Sequence, residues 1–179
     1  VRVLLPDDER MDYAIADQDG RFRIASTAKA KLAIIKRILK KHAGEPTLII
    51  GQYLDQIAEV SEALGVPKLT GETPVDERES LFKQFRSGEI TALVVSKVAN
   101  FSVDLPEASV AIQISGAFGS RQEEAQRLGR LLRPKANGRS AAFYTIVAKD
   151  TVEQDFAQNR QRFLAEQGYS YEIMDDTEI

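Results

Sequence analysis

The sequence predicts an α/β protein in which a mostly parallel sheet is covered by helices on both faces. Two observations lead to this prediction. Continuous apolar runs such as Thr47–Ile50 and Thr91–Val95 are typical of strands that are buried on both sides. Longer amphipathic segments such as Asp55–Leu64 and Asp76–Arg86 alternate with these runs. This alternation requires crossover connections, which join parallel strands.

The remaining elements follow from the same periodicity. The predicted strands are Val1–Leu5, Thr47–Ile50, Pro67–Leu69, Thr91–Val95, Ser109–Ile114 and Ala141–Val147. The predicted helices are Asp7–Ala16, a helix capped by Ser26 or Thr27 that ends near His42, Asp55–Leu64, Asp76–Arg86, a helix between Ser120 and Pro134, and Val152–Gln167. Asp17–Gly20 reads as a polar turn, and the acidic tail from Asp175 as frayed.

The helix that ends near His42 carries many cations. Its predicted buried face consists of Ala28, Leu32, Ile35, Ile38 and Leu39. The cations are predicted mostly on its other faces; they are Lys29, Lys31, Lys36, Arg37, Lys40 and Lys41. A solvated face explains them, with late cations favoured by the helix dipole. A DNA-facing patch is the second interpretation, and we favour the first.

Composition limits the chemistry that the chain can perform. A chain of 179 residues can bury the core of one domain. Cysteine is absent and His42 is the sole histidine, which excludes disulfides and thiolate sites and disfavours histidine metal sites and a Ser-His-Asp triad. The net charge of −3 argues against a free-standing DNA-binding module, so any contact with nucleic acid must be local. No apolar run approaches membrane length.

The helix between Ser120 and Pro134 contains the strongest candidate site. Ser120 and Glu123 form a capping-box pair, and Pro134 should end the helix. Gln126, Arg130 and Arg133 are spaced i, i+4 and i+7, which places an amide and two guanidinium groups on one face. Guanidinium groups held in this way suit the negative charge of a phosphoryl group in transfer. A solvated arginine-rich face is the alternative.

The stretch Gln126–Arg133 resembles Q-x-x-G-R-x-x-R, which is motif VI of superfamily-two helicases. The resemblance implies that these arginines reach ATP bound on a partner domain. Ser96–Pro106 resembles motif V of the same superfamily. By that resemblance Ser96 and Lys97 would hold a phosphate, and Asp104 would bind the ribose or orient the arginines. Alternatively, Asp104 caps a turn before Pro106.

Two earlier loops carry weaker resemblances. Gly51-Gln52 resembles motif IV, which touches the nucleic-acid backbone, but a simple strand-to-helix turn also explains the glycine. Gly71 and Thr73, with Glu77-Arg78 after them, resemble the G-x-T…E-R element that binds a DNA phosphate. Free amides at a helix start can bind an anion. An ordinary threonine cap is an equal alternative.

A closer resemblance covers roughly Pro46–Ile173. Ser-Lys-Val at position 96, Asp-Leu-Pro-Glu-Ala at 104, Gln-Ile-Ser at 113 and the segment 122–133 look like the XPB family of DNA-repair and transcription helicases. This implies the C-terminal RecA-like domain, a three-layer sandwich, of a 3′-to-5′ DNA helicase. We assign residues 1–25 to a segment that would link to a missing first motor domain, 26–174 to this domain, and 175–179 to the tail.

The resemblance also implies cofactors and partners. ATP and Mg²⁺ would be bound mainly by the missing N-terminal RecA-like domain, because no glycine in this chain is followed by lysine, as a phosphate-binding loop requires. No metal site and no ATPase activity are expected of the chain alone. Expected partners are DNA, as a single strand or a junction, the first motor domain, and a repair nuclease or transcription complex, inside the cell where DNA is. A remodeller-type or restriction-type translocase and a non-catalytic docking scaffold are the alternatives.

Overall fold

A computed structural model describes residues 1–96, 107–116, 138, 140–166 and 168–179. Its centre is a five-stranded parallel sheet in the order β3-β4-β2-β5-β6. The strands of this sheet are β2 (Thr47–Gly51), β3 (Lys68–Leu69), β4 (Ala92–Ser96), β5 (Val110–Gln113) and β6 (Ala142–Thr145). The predicted parallel sheet is confirmed.

Helices cover both faces of this sheet. They are α1 (Asp7–Ile15), α2 (Gln18–Ser26), α3 (Ala30–Lys41), α4 (Leu54–Leu64), α5 (Val75–Ser87) and α6 (Val152–Glu166). Within β2, Ile49 belongs to one core cluster with Ile35 of α3 and Ile57 of α4. Its neighbour Leu48 belongs to a second cluster, which contains Phe82 of α5. Because successive strand residues point to opposite faces, each strand contributes to both layers.

The segment before α3 differs from the prediction. Asp17–Gly20 is not a free turn but the start of α2, where the Asp17 carboxylate accepts a hydrogen bond from the Gly20 amide at 2.8 Å. Ser26 does not cap the next helix; it is buried as the last residue of α2. The acceptor at the start of α3 comes from α1 instead, where Glu9 Oε1 accepts a hydrogen bond from the Lys29 amide at 3.1 Å.

The predicted strand Ala141–Val147 is divided between two sheets. β6 ends at Thr145, and β7 (Val147–Ala148) pairs with β1 (Arg2–Val3) in a separate two-stranded parallel sheet. The small sheet attaches the N-terminal residues to the body of the domain, because Val3 belongs to the cluster of Ile49 and Ile57, which is the main core cluster. Periodicity alone could not show this change of partner within one apolar run.

The C-terminal residues also differ from expectation. Asp176–Glu178, expected as part of a frayed tail, form a short 3₁₀ helix, and Asp175 precedes it in a capping box with Glu178. Arg37 Nη1 donates to the Asp176 carbonyl at 2.6 Å, and Ile179 packs against the main core cluster. These contacts order the tail. Within the described ranges, no helix is both long enough and apolar enough to span a bilayer.

Candidate functional site

The carboxyl ends of the central strands meet at one edge of the sheet. Gly51, the last residue of β2, is in register with Ser96, the last residue of β4, and Ile50 is in register with Gln113 of β5. Three predicted site segments therefore leave this edge from neighbouring strands. They are the loop after Gly51, the segment that begins at Lys97 and the segment that follows Gly116.

Gly51 and Ser96 are both buried at this edge. A Cβ atom on Gly51 would lie 3.2 Å from Ile57 Cγ1 and 3.3 Å from two side-chain atoms of Ile114, so packing explains this glycine. Ser96 is 1% exposed, which favours a structural role for its hydroxyl over direct phosphate contact. The motif IV and motif V assignments of these two residues stay predictions.

The Gly71–Thr73 loop follows β3 and leads into α5. Thr73 does not cap α5; its Oγ1 accepts from the Thr70 amide at 2.9 Å and closes the loop on itself. Gly71 is exposed. Arg78 Nη2 donates to the Thr73 carbonyl at 3.3 Å, which brings a guanidinium group to the loop. An exposed loop beside a cation is suited to contact a phosphate.

A cavity of about 480 Å³ lies beside the loop that follows β2. Its aromatic walls come from α2, the β2–α4 loop and α6, and the Phe22 and Phe156 rings meet edge to face at 5.8 Å. The cavity is lined by Gln18, Asp19, Phe22, Gln52, Tyr53, Val152, Asp155 and Phe156. It shows that Gln52 lines an open cleft, whereas Gly51 lies in the packed interior.

A buried ion pair lies just behind the end of β5. Lys31 of α3 donates from Nζ to Glu153 Oε1 and Oε2 at 2.7 and 2.9 Å, and to the Ile114 carbonyl at 2.7 Å. Burial lowers the pKa of Lys31 and raises the pKa of Glu153, and each partner's charge opposes the shift of the other. The three bonds from Nζ match the three hydrogens of a protonated amine, so we describe the pair as ionised.

The burial of Lys31 contradicts the prediction that this residue is one of the solvated cations of α3. Its side chain is buried with Ile35 and Ile38 at i+4 and i+7 on the same helix. That spacing was the signal in the sequence, since a lysine on an apolar stripe must find a buried acceptor. Glu153 is 5% exposed, and its Oε2 also accepts from the Ala148 amide at 2.8 Å.

A second polar network surrounds the last residue of β5. Arg160 of α6, 7% exposed, donates from Nη1 to Gln113 Oε1 at 2.6 Å and from Nη2 to the Gly116 carbonyl at 3.5 Å. Gln113 Nε2 donates to that same carbonyl. Next to it, Ser115 Oγ accepts from the Gln52 amide at 2.8 Å. Sequence reasoning assigned no role to Arg160 or Gln113.

The other predicted site residues lie outside the described residues. They are Lys97, Asp104, Gln126, Arg130 and Arg133. Among the residues that the structure does describe, no group of three or more histidine or carboxylate side chains is arranged to hold a metal ion.

Comparison with solved structures gives the class of the fold. The C-terminal domain of the DEAD-box protein Dbp5 superimposes with a TM-score of 0.66 at 16% identity, over 81% of this chain and 82% of that one. The E. coli DEAD-box protein SrmB, solved with a regulator of ribonuclease activity, gives 0.63 at 19% identity, over 81% of each chain. At such identities the likeness shows the fold alone, which is that of a RecA-like helicase C-terminal domain.

Sequence comparison then gives the family. A model of the ERCC3/RAD25/XPB C-terminal helicase family matches residues 10–179. The chain belongs to this family, and the predicted resemblance to XPB helicases is confirmed. A protein from Kineococcus radiotolerans named DNA 3′-5′ helicase XPB is 60% identical over 179 residues, and one of the same name from Mycobacterium tuberculosis is 59% identical; both matches cover 100% of this chain.

The chain spans only part of these relatives. It covers 32% of the Kineococcus protein and 33% of the Mycobacterium protein. A more distant relative from Enterocytozoon bieneusi is named as the XPB helicase/translocase subunit of general transcription and DNA repair factor IIH. It is 36% identical over an alignment of 169 residues, and the match covers 91% of this chain and 28% of that protein.

Proposed function

We propose that this chain is the second motor domain of an ATP-dependent 3′-to-5′ DNA helicase or translocase. One observation carries the proposal. β2 lies between β4 and β5, so the segments to which we assign motifs IV, V and VI all begin at the same edge of the sheet. In open parallel sheets this carboxyl edge is where ligands bind. The family membership of the chain supplies the reaction class.

The proposed contribution to the nucleotide site comes from the segment after β5. Gln126, Arg130 and Arg133 would face the phosphates of ATP bound on the first motor domain, with Arg133 as the finger that stabilises the charge of the transferred phosphoryl group. Asp104 would hold the ribose or orient the arginines. We assign the phosphate cradle and Mg²⁺ to the first domain, and hydrolysis of ATP would supply the free energy for movement.

The proposed DNA contacts are local and directed at phosphates. Gly71, Thr73 and the guanidinium of Arg78 form one contact after β3, and Lys97 forms another after β4. Backbone amides and single cations position a strand but cannot distinguish base edges, so binding should be indifferent to sequence. The net charge of −3 is consistent with few contacts per domain. A single strand or a junction is the proposed substrate.

The partners of the whole protein follow from its proposed role. The first motor domain of the same polypeptide would complete the ATP site, and assembly with a repair nuclease or a transcription complex would direct the motor to its substrate inside the cell. The name of the Enterocytozoon relative supports an assembly of this kind. A restriction-type or remodeller-type translocase is the second candidate, and its accessory modules would distinguish it.

The test is Arg133→Ala in the full-length parent protein. We expect DNA-stimulated ATP turnover to fall about 10³-fold, as loss of an arginine finger does in other phosphoryl-transfer enzymes, with little change in nucleotide affinity. Arg162→Ala, at an exposed position on α6, is the matched control and should keep normal turnover. Near-normal turnover by Arg133→Ala would discredit this assignment, and a loss confined to Arg130→Ala would move the finger to Arg130.

A further inference from the structure

Four consecutive residues at the end of β5 are each held by a group from another part of the chain. Gln113 receives a hydrogen bond from Arg160, and the Ile114 carbonyl receives one from Lys31. Ser115 Oγ accepts from the Gln52 amide. The Gly116 carbonyl accepts from Gln113 Nε2 and from Arg160 Nη2. The direction in which the chain leaves the sheet is therefore fixed from several sides.

Gly116 has a backbone conformation that glycine adopts readily. Its φ of 87° lies in the left-handed region, so the chain turns sharply directly after β5. Gln126 follows ten residues later in the sequence. Because Gln113 and Arg160 both donate to the Gly116 carbonyl, they fix the orientation of the peptide group at which this turn begins.

The polar network fills this part of the interior at a higher desolvation penalty than apolar side chains would. Burial of a guanidinium group carries a large desolvation penalty, and well-packed apolar residues are often as stable or more stable in such places. The remaining cavity among Gln113, Gly116, Glu153 and Arg160 is about 10 Å³, so the groups are closely packed. Unlike apolar packing, the hydrogen bonds fix the direction of one carbonyl group, that of Gly116.

We propose that Arg160, acting through Gln113 and the Gly116 carbonyl, is a positioning residue for the segment that contains Gln126, Arg130 and Arg133. The proposal rests on the proposed function of that segment. Arg160 does not touch the nucleotide in this proposal. Its guanidinium holds the Gly116 carbonyl, the last described peptide group before that segment, in one orientation, and the position of the segment depends on that orientation.

Two conservative substitutions in the full-length parent protein test this inference. Arg160→Lys keeps a cation but loses the planar fork that reaches both Gln113 Oε1 and the Gly116 carbonyl. Gln113→Glu keeps an acceptor for Arg160 but removes the donor to that carbonyl. We expect each to lower DNA-stimulated kcat about 10- to 100-fold, as small misplacements of catalytic groups do. KM for ATP should stay close to that of the unsubstituted protein, and kcat is expressed per folded molecule, with the folded fraction measured by circular dichroism.

Arg162→Lys is the control for Arg160→Lys, since Arg162 is exposed on the same helix. Its kcat should be unchanged. The decisive measurement combines each substitution with Arg133→Ala. If Arg160 acts through the arginine segment, Arg160→Lys should reduce kcat by less than about 2-fold in the Arg133→Ala background, because residues that act as a unit are not additive.

Full multiplicative losses in that background would overturn the inference, as would a loss of kcat that matches the unfolded fraction measured by circular dichroism. Should Arg160→Lys fail to fold, Gln113→Glu decides the question by the same two criteria. Normal turnover by Arg133→Ala alone would instead refute the proposed role of Arg133 as the finger, and this outcome is distinguishable because it does not involve Arg160.

Discussion

Lys31 Nζ lies 2.7 Å from Glu153 Oε1 and thereby joins α3 to α6 inside the domain. Both side chains are buried, so neither charge is solvated by bulk water. The net contribution of such a pair to the free energy of unfolding is often small. Removal of one partner is strongly destabilising, however, because the other charge stays buried without a counter-ion. This asymmetry makes the pair a sharp test of the fold.

Lys31→Met should destabilise the domain by about 3–5 kcal/mol, because Glu153 would remain buried without its counter-ion. The free energy of unfolding is measured by urea titration of the 179-residue chain. The double variant Lys31→Met/Glu153→Gln carries no stranded charge and keeps an acceptor for the Ala148 amide. It should be more stable than Lys31→Met alone, and a double variant that is equally unstable or worse would contradict the ion-pair description.

Gly51→Ala should separate packing from DNA binding at the end of β2. The added methyl group would press on Ile57 and Ile114 and should cost about 1–3 kcal/mol of stability, as overpacking does. If Gly51 serves packing alone, the folded full-length variant keeps its DNA affinity, measured by fluorescence anisotropy. A large loss of affinity with unchanged stability would instead support a direct backbone contact at motif IV.

Lys97→Ala in the full-length protein should weaken binding to all single strands alike. Loss of one phosphate contact should reduce the slope of log affinity against log salt by about 1. Titration of labelled strands of different sequence at several salt concentrations measures both quantities. Lys40→Ala is the control, because Lys40 is exposed in the last turn of α3, which precedes the amino end of β2. An altered sequence preference in Lys97→Ala would contradict the motif V assignment.

The isolated 179-residue chain should fold but hydrolyse no ATP, since we assign the phosphate cradle and Mg²⁺ to the first motor domain. The assay is steady-state phosphate release with magnesium and saturating single-stranded DNA. Turnover that DNA stimulates and that Arg133→Ala abolishes would show that the chain has a complete site. Circular dichroism establishes that the inactive chain is folded.

Much of the fold could be predicted because its signals are local. The runs Thr47–Ile50 and Thr91–Val95 are apolar after their first threonine, and the structure buries every residue of β2 and β4. Helix ends were harder to predict. Ser26 has the side chain of a helix cap, yet it is the last residue of α2. The hydrogen bond at the start of α3 comes instead from Glu9, which lies 20 residues before Lys29 and accepts from its amide. A cap supplied by a distant residue leaves no local signal.

For the candidate site, the positions at strand ends could be predicted from the sequence, whereas contacts between distant segments could not. Motif spacing identified Gly51, Gly71 and Ser96 at strand ends, and the parallel register places Gly51 beside Ser96. The contact between Arg160 and Gln113 was missed, because 47 residues separate them and the family resemblance of their stretches gave neither side chain a role. Networks that form only between distant segments require the tertiary structure, whereas strand-end loops follow from topology.

The bonds of Lys31 also have a consequence for synthesis on the ribosome. Its acceptors at Ile114 and Glu153 are 83 and 122 residues further along the chain. At about 5–20 residues per second, roughly 6–25 s pass between the emergence of α3 and that of its ionic partner. During that interval the unpaired ammonium group of Lys31 opposes burial of the apolar stripe on α3. We therefore expect α3 to pack stably against the sheet only after α6 has been synthesised.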